Sequence, residues 1–252
     1  KILFLIILVV ISIFALRSLT YLSHIYDGVH HGSIFQNSLE ILNGQLPYKD
    51  YFSQYGHLND LINSFTVKIL NYDIFGLYIN TTLFYFLAVF IIGYIAFTLS
   101  NIYAFLISII ILIFNHPIPE YPWPNYTAFL FLTFSVLVFN ENKKQNLFLS
   151  SFFLGLSILC RENFYFFIIP TWLLLSLLIY IRYRNFLKFG YFILGLILPI
   201  SFFLFFLVSN NIFDFWLNFQ KLPFIYVERY ETTTKDLIIS FFSFFSNDVI
   251  FN

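Results

Sequence analysis

The sequence predicts an all-α, polytopic integral membrane protein that forms one domain over residues 1–252. Of these residues, 60% are hydrophobic and only 10% are charged. An average soluble domain is about a quarter charged. Mean hydropathy is +0.81. Apolar runs of spanning length alternate with polar segments along the chain, a pattern typical of transmembrane helices.

Charge and cysteine content exclude some classes of partner and site. The formal net charge is zero and no basic tract exceeds two residues, so we expect no nucleic-acid partner. A single cysteine, Cys160, excludes an internal disulfide and a zinc site of paired cysteines. The chain lacks methionine and begins with Lys1, so we expect a piece of a longer protein that is incomplete at its C-terminus.

The apolar runs predict about seven transmembrane helices. The first apolar run is longer than the hydrophobic core of a usual signal peptide and has no small-x-small cleavage site. This favours a retained transmembrane helix over a cleaved leader. The run from Leu147 to Ile181 is too long for one helix at about 1.5 Å per residue, and we expect it to turn near Arg161. The spans are predicted at residues 2–22, 77–99, 102–115, 126–139, 147–160, 164–181 and 189–208, with an eighth beginning at Leu237.

Positive charge in the short loops orients these spans. With Lys1 cytoplasmic, the basic residues of two short loops also fall on the cytoplasmic side, as the positive-inside rule requires. The other face then carries a first extracytoplasmic loop at about 23–76, a Pro-rich turn at 116–124, Arg161 and a later loop at about 210–236. The basic loop residues are Lys143, Lys144, Arg182, Arg184 and Lys188.

Two short helices are predicted in the first loop. Ser33 and Gln36 have the spacing of a capping box, and Gly44 marks a stop, which predicts a helix at about 34–43. The second is an interfacial amphipathic helix. Its apolar residues recur at helical spacing while polar residues occupy other faces. The apolar set is Leu58, Leu61, Ile62, Phe65 and Ile69, and the polar set is Asn59, Asp60, Asn63, Ser64 and Lys68.

Asp27 is the strongest candidate for catalysis. It follows the first apolar run, so we expect its carboxylate at the lipid–water boundary, where partial desolvation makes a better base. The alternative is that Asp27 only ends the first helix. His30 and His31 are adjacent, so only one of them can lie on the same side of the chain as Asp27. That histidine is a candidate for binding phosphate or orienting an acceptor. Alternatively, both belong to a polar turn.

Arg161 and Glu162, two further substrate-binding candidates, interrupt the longest apolar run. An ionised group at bilayer depth costs about 2.5 to 3.5 kcal/mol, so such groups face a cavity or each other. Arg161 suits a phosphate ligand, although a plain turn into water would also place it here. Glu120, in the Pro-rich turn, is a further substrate-binding candidate, with a rigid turn as the alternative. Because these groups come from separate loops, we expect no metal site and no cofactor.

Several of these segments resemble the GT-C glycosyltransferases. The segment Gly44–Gly56 is similar to the G-x-x-P-Y-[RK]-D-[FY]-F-x-x-[YH]-G pattern of the protein mannosyltransferase and aminoarabinose transferase branch, and within it Tyr55 joins the substrate-binding candidates. The segment Gly155–Arg161 resembles the G-L-x-x-L-x-[RK] close of a fifth helix. The resemblance covers roughly residues 2–170. It implies a GT-C-like membrane module in which Asp27 is the catalytic carboxylate and Arg161 a cavity cation.

The chain departs from this pattern at two points. Many relatives carry Asp-Glu where this chain has Asp27-Gly28, and a proline where it has His57. The run from Asp27 through His30 and His31 to Gly32 instead resembles a variant found in uncharacterised membrane proteins.

The implied function is an inverting hexosyl or pentosyl transfer. The donor is a polyprenyl-phosphate-linked sugar, and the acceptor is an extracytoplasmic lipid, glycan or protein, at the outer face of a bacterial inner membrane. One alternative is a non-enzymatic lipid-linked sugar flippase or transporter, which predicts charges in mid-span rather than clustered on one face. Another is an O-antigen-type polymerase or ligase, which predicts its key cations in later loops.

Overall fold

Helices make up the regular structure of this protein. The computed structural model describes residues 13, 16–17, 30–53, 55–100, 102–103, 105–106, 109 and 121–220. Within these ranges no β-strand occurs. The α-helices are α1 (His30–Leu42), α2 (His57–Ile69), α3 (Phe75–Leu99), α4 (Pro124–Val138), α5 (Lys144–Cys160), α6 (Tyr165–Tyr183), α7 (Phe186–Ser209) and α8 (Phe213–Gln220), and a 3₁₀ turn at Glu162–Phe164 leads into α6.

Three helices in the described part of the chain are long and apolar enough to cross a membrane. They are α3, the continuous unit Glu162–Tyr183 that contains α6, and α7, with hydropathies of 2.2, 2.2 and 2.6. Their exposed large apolar side chains are mostly leucine and phenylalanine, which lipid solvates better than water does. The molecule therefore has the character of a membrane protein, as the composition predicts.

The predicted spans 77–99, 164–181 and 189–208 coincide with α3, α6 and α7 to within three residues at each end. The predicted spans 126–139 and 147–160 are also helical, as α4 and α5. These two helices have 15 and 17 residues, fewer than the about 20 that a span needs. Most of the first and third predicted spans, and the predicted start of the eighth, lie outside the described residues. The total of seven therefore stays a prediction.

Helix α5 is the centre of the bundle and packs closely against α7. A Cβ added at Gly195 would collide with the Phe148 carbonyl oxygen, and one at Gly155 would collide with the Pro199 ring. Small residues at these positions let the two backbones approach, as is usual between membrane helices. Beside the same contact, the Ser151 hydroxyl accepts a hydrogen bond of 2.8 Å from the Trp172 indole of α6. These contacts hold the body of α5, the helix that Arg161 follows.

Helix α1 begins earlier than the sequence predicts. It is already helical at His30, so Ser33 and Gln36 lie inside it and do not form a capping box. The Ser33 hydroxyl donates to the His30 carbonyl oxygen at 3.2 Å, and the Gln36 amide donates to the Glu40 carboxylate. The predicted stop is confirmed, because α1 ends at Leu42 and Gly44 adopts a φ of +79°.

Helix α2 lies where the sequence predicts it, but its polar face is covered by protein. Four polar side chains of that face, Asn59, Asp60, Asn63 and Ser64, are at most 4% exposed, and only Lys68 at the end of the helix is exposed. Leu61, Phe65 and Ile69 are 46%, 67% and 61% exposed. The polar side chains bond to neighbouring helices: Thr127 of α4 donates to Asn59 at 2.8 Å, and Asn80 of α3 donates to Asn63 at 2.9 Å. The apolar face of α2 therefore points outward.

Candidate functional site

Arg161 sits at a break between two helices. Its backbone is extended, with φ −141° and ψ 95°, and its N–H donates to the Ser157 carbonyl oxygen at 3.1 Å, ending α5. The 3₁₀ turn begins at the next residue. The predicted turn near Arg161 is thus confirmed, and the break projects a half-buried guanidinium from the helix end.

The guanidinium of Arg161 lies over the ring of Tyr55, with Cζ 4.6 Å from the ring centroid. Among the described residues Arg161 makes no ion pair, and the one such pair in that part of the chain joins Arg182 to Glu141 at 3.0 Å. An aromatic face attracts a cation but carries no net charge to neutralise it. Arg161 therefore keeps a positive charge in a partly desolvated position, which is the environment of an anion site.

The carboxylate of Glu162 bonds to residues other than its neighbour Arg161. Its Oε1 accepts a hydrogen bond of 2.7 Å from the Tyr48 hydroxyl, and its other carboxylate oxygen accepts one from the Gln220 amide. The ring of Phe219 in α8 also contacts the ring of Tyr48, with centroids 5.6 Å apart. Glu162 thus joins the first polar segment, Gly44–Gly56, to α8, and it forms no ion pair with Arg161.

A row of aromatic rings joins Arg161 to His30. Tyr55 lies edge to face against Trp123 at 5.5 Å, and Trp123 lies 4.9 Å from the half-buried His30 ring. Tyr121 contacts this imidazole at 5.2 Å. The structure therefore brings together three of the predicted site residues, His30, Tyr55 and Arg161, although more than a hundred residues separate the first from the last.

His31 occupies a different position from His30. Its ring is fully buried between Tyr78, at 5.5 Å, and Tyr121, at 5.6 Å. The expectation that adjacent histidines face different ways agrees with this geometry. Of the two, His30 is the one with surface left for a ligand.

Gly56 allows the first polar segment to pack against the C-terminal end of α5. A Cβ at this position would collide with the Leu159 carbonyl oxygen and lie 2.7 Å from that of Cys160. The absence of a side chain thus allows the backbone contact that holds Tyr55 beneath Arg161. His57, the next residue, stacks on Phe206 with centroids 5.2 Å apart and planes at 8°. Burial lowers the His57 pKa to about 4, so this imidazole is neutral near pH 7.

Asp60 is a buried carboxyl whose position in the sequence does not by itself indicate a functional role. It is 1% exposed, and its Oδ2 accepts hydrogen bonds from Ser53 at 2.8 Å and Asn37 at 3.3 Å. Burial raises its pKa to about 7 and nearby Glu162 adds to the rise, whereas the hydrogen bonds lower it. The polar stripe of α2, in a chain this apolar, was the available signal, because polar groups in membrane proteins face the protein interior.

The raised pKa of Asp60 predicts that the folded state loses stability as the pH rises. Its native pKa of about 7 exceeds the ordinary 3.8, so the folded state retains a proton that the unfolded state releases. Stability should be highest below pH 4 for this group and should fall by up to about 1.4 kcal/mol per pH unit until the pH passes about 7. We expect Asp60→Asn, an isostere of the protonated carboxyl, to remove this loss.

The measurement is thermal unfolding in detergent, followed by circular dichroism between pH 5 and pH 8. Asp73→Asn is the matched control, because Asp73 lies in an exposed turn where its carboxylate accepts the Phe75 N–H at 2.8 Å. This control should keep the wild-type pH dependence. An Asp60→Asn variant with the same pH dependence as wild type would show that Asp60 is ionised throughout.

Two predicted site residues, Asp27 and Glu120, lie outside the described residues. Their neighbours place them by sequence only: Asp27 comes three residues before His30, and Glu120 directly precedes Tyr121. In the described ranges no three His, Cys, Asp or Glu side chains are grouped to hold a metal ion.

Comparison with known proteins gives no relative. The chain matches no family model, no curated protein and no solved structure.

Proposed function

We propose that the protein is a membrane glycosyltransferase of the GT-C type that uses a polyprenyl-phosphate-linked sugar. The observation that carries the proposal is the charge of Arg161, which no carboxylate among the described residues neutralises and which faces Tyr55 at 4.6 Å. A donor of this class carries a phosphate at the membrane surface. The planar guanidinium can bind such a phosphate through two parallel hydrogen bonds.

The reaction needs an anion site and a base close together. In an inverting transfer the acceptor oxygen or nitrogen attacks the anomeric carbon, the bond from that carbon to the phosphate oxygen breaks, and polyprenyl phosphate leaves with the electron pair. Asp27 accepts the proton of the acceptor in this proposal. Arg161 stabilises the charge that develops on the departing phosphate. His30, joined to Arg161 through Trp123 and Tyr55, orients the acceptor.

Membrane placement completes the proposal. About seven spans hold the site at the extracytoplasmic face of a bacterial inner membrane, where lipid-linked sugars meet lipid, glycan or protein acceptors. The positive-inside distribution supports this orientation. Glu120 and Glu162 border the site, the first by its place beside Tyr121 and the second by its hydrogen bonds to Tyr48 and Gln220.

The function is tested by supplying radiolabelled polyprenyl-phosphate sugars to membranes that contain the protein. Transfer of label to an extractable lipid, glycan or protein, absent from membranes without the chain, is the expected result. Movement of labelled donor across the bilayer without transfer would instead favour a flippase. Extension of an existing polyprenyl-linked glycan would favour a polymerase.

Arg161→Gln should weaken donor binding more than acceptor binding. Losing one charge-assisted contact costs roughly 1.5 to 3 kcal/mol, or about ten- to a hundredfold in the donor dissociation constant. Arg161→Lys should recover only part of this, because lysine lacks the planar fork. Binding of a non-hydrolysable donor analogue to each purified variant is the measurement.

Arg182→Gln is the matched control for Arg161→Gln. It also removes an arginine at a helix end, but one whose charge is already paired with Glu141. Donor affinity in this control should equal that of wild type. Unchanged affinity in a folded Arg161→Gln variant would leave Arg161 as a turn residue and remove the main support for the proposed donor site.

A further inference from the structure

A second site lies at the far end of α2, away from Arg161. An open cavity of about 680 Å³ runs between α1, α2 and α3, within the roughly 300–1,000 Å³ of small-molecule sites. Its walls are mainly apolar, with Lys68 at the C-terminal end of α2. Lys68 is 11 residues beyond His57, or roughly 17 Å along the helix axis. His30, Tyr55, Trp123 and Arg161 are not among the residues that line the cavity, so it is distinct from the site around Arg161.

The neutral polar groups of this cavity are bonded within the protein. The Thr66 hydroxyl donates to the Asn80 side-chain oxygen at 2.9 Å, and the Asn80 amide donates to Asn63 at 2.9 Å. The Ser64 hydroxyl donates to the carbonyl oxygen of Leu61 at 2.8 Å. What remains for a ligand is apolar wall and the charge of Lys68.

Lys68 is exposed and forms no ion pair with any described residue. The nearest acidic residue along the chain, Asp73, uses its carboxylate to accept the Phe75 N–H. Glu40 of α1 is occupied by the Gln36 amide. A cation at the edge of an apolar groove is complementary to a molecule with an anionic head and an apolar tail.

The surroundings of the groove identify the source of that molecule. Leu61, Phe65 and Ile69 form an exposed apolar stripe on α2, and this stripe lies beside α3, a helix of membrane-spanning length. The polar face of α2 is bonded inside the protein, so this outward face needs an apolar solvent. Membrane lipid is that solvent.

We propose that this groove binds one anionic phospholipid from the surrounding leaflet. One acyl chain lies against Phe65 and Phe84, and the head-group phosphate contacts Lys68. The site requires membrane placement but no transferase activity. Lipid binding and sugar transfer can therefore fail independently, and the two proposals are tested separately.

Native mass spectrometry of the detergent-purified protein with phosphatidylglycerol or phosphatidylcholine tests the head-group contact. Wild type should retain phosphatidylglycerol in preference to phosphatidylcholine, and Lys68→Gln should lower that preference about fivefold, as expected for one basic residue at a lipid surface. Lys68→Arg should preserve the preference. Lys49→Gln, which removes an exposed lysine outside the groove, is the control and should bind as wild type does.

A phosphatidylglycerol with a diazirine in its acyl chain tests the apolar contact. In vesicles, photolabelling should map to peptides that contain Phe65 and Phe84, and unlabelled phosphatidylglycerol should compete whereas glycerol phosphate should not. Equal retention of the two lipids, an unchanged preference in Lys68→Gln, or labelling spread evenly over the lipid-facing helices would each overturn the proposal.

Discussion

Asp27→Asn is expected to lower sugar transfer at least about a hundredfold, the lower range for loss of a general base. Asparagine keeps the size and polarity of the side chain but cannot accept the acceptor's proton. Membrane insertion and abundance should stay near wild type, because the substitution adds no charge and removes no apolar surface. The measurement is the initial rate of label transfer in membranes, normalised to the amount of protein.

Two comparisons separate catalysis by Asp27 from a structural role. Asp73→Asn removes a carboxylate from a turn that belongs to no proposed site and should transfer at the wild-type rate. Donor binding by Asp27→Asn should also be unchanged, because the proposed mechanism assigns the donor phosphate to Arg161 and not to Asp27. Transfer near the wild-type rate in Asp27→Asn would assign Asp27 to the end of the first helix and leave the base unidentified.

The long helices could be predicted because their signal is local. Length and hydropathy alone locate α3, α6 and α7 to within three residues, and the charged pair at Arg161 and Glu162 divides the longest apolar run at the correct place. The capping-box prediction also used a local signal, but tertiary contacts override it. The chain is already helical at His30 and His31, whose rings pack against Tyr121 and Tyr78, so Ser33 lies inside the helix and not at its start.

Periodicity located α2 but could not show which of its faces is buried. A helical repeat groups Leu61, Phe65 and Ile69 on one side whether the interior of the protein is apolar or polar. In water that side would turn inward. Beside membrane helices it turns outward, because lipid is as apolar as a leucine side chain and the protein interior offers Asp60 and Asn63 their hydrogen bonds.

The pairing of the site residues depends on contacts between distant parts of the chain. Nothing in the spacing of His30, Tyr55 and Arg161 indicates that Trp123 connects them. The resemblance to GT-C proteins suggested Arg161 as a cavity cation. It did not indicate that Glu162 would bond to Tyr48 and Gln220 instead of pairing with Arg161.

Gly56→Ala is expected to dislodge the first polar segment from the end of α5. The backbone of Gly56 has φ −71° and ψ 132°, which alanine adopts freely, so the cost is steric. The obstructing atoms belong to the backbone of Leu159 and Cys160, which cannot rotate away as a side chain would. Overpacking of this kind costs up to about 3 kcal/mol, or roughly 6 to 12 °C in Tm for a chain of this length.

The only cysteine of the chain reports this movement directly. Cys160 is fully buried, and its backbone contacts Gly56, so a maleimide reagent should label native wild type slowly. In Gly56→Ala, labelling should become fast at temperatures well below unfolding, and donor affinity should fall because Tyr55 no longer lies beneath Arg161.

Gly190→Ala is the matched control for this substitution. Gly190 lies in α7, where an added Cβ meets no atom within 4 Å, so alanine should hold or slightly raise Tm and leave Cys160 protected. Wild-type Tm and wild-type protection of Cys160 in Gly56→Ala would mean that the segment does not rest on the helix end. The position of Tyr55 beneath Arg161 would then lose its structural basis.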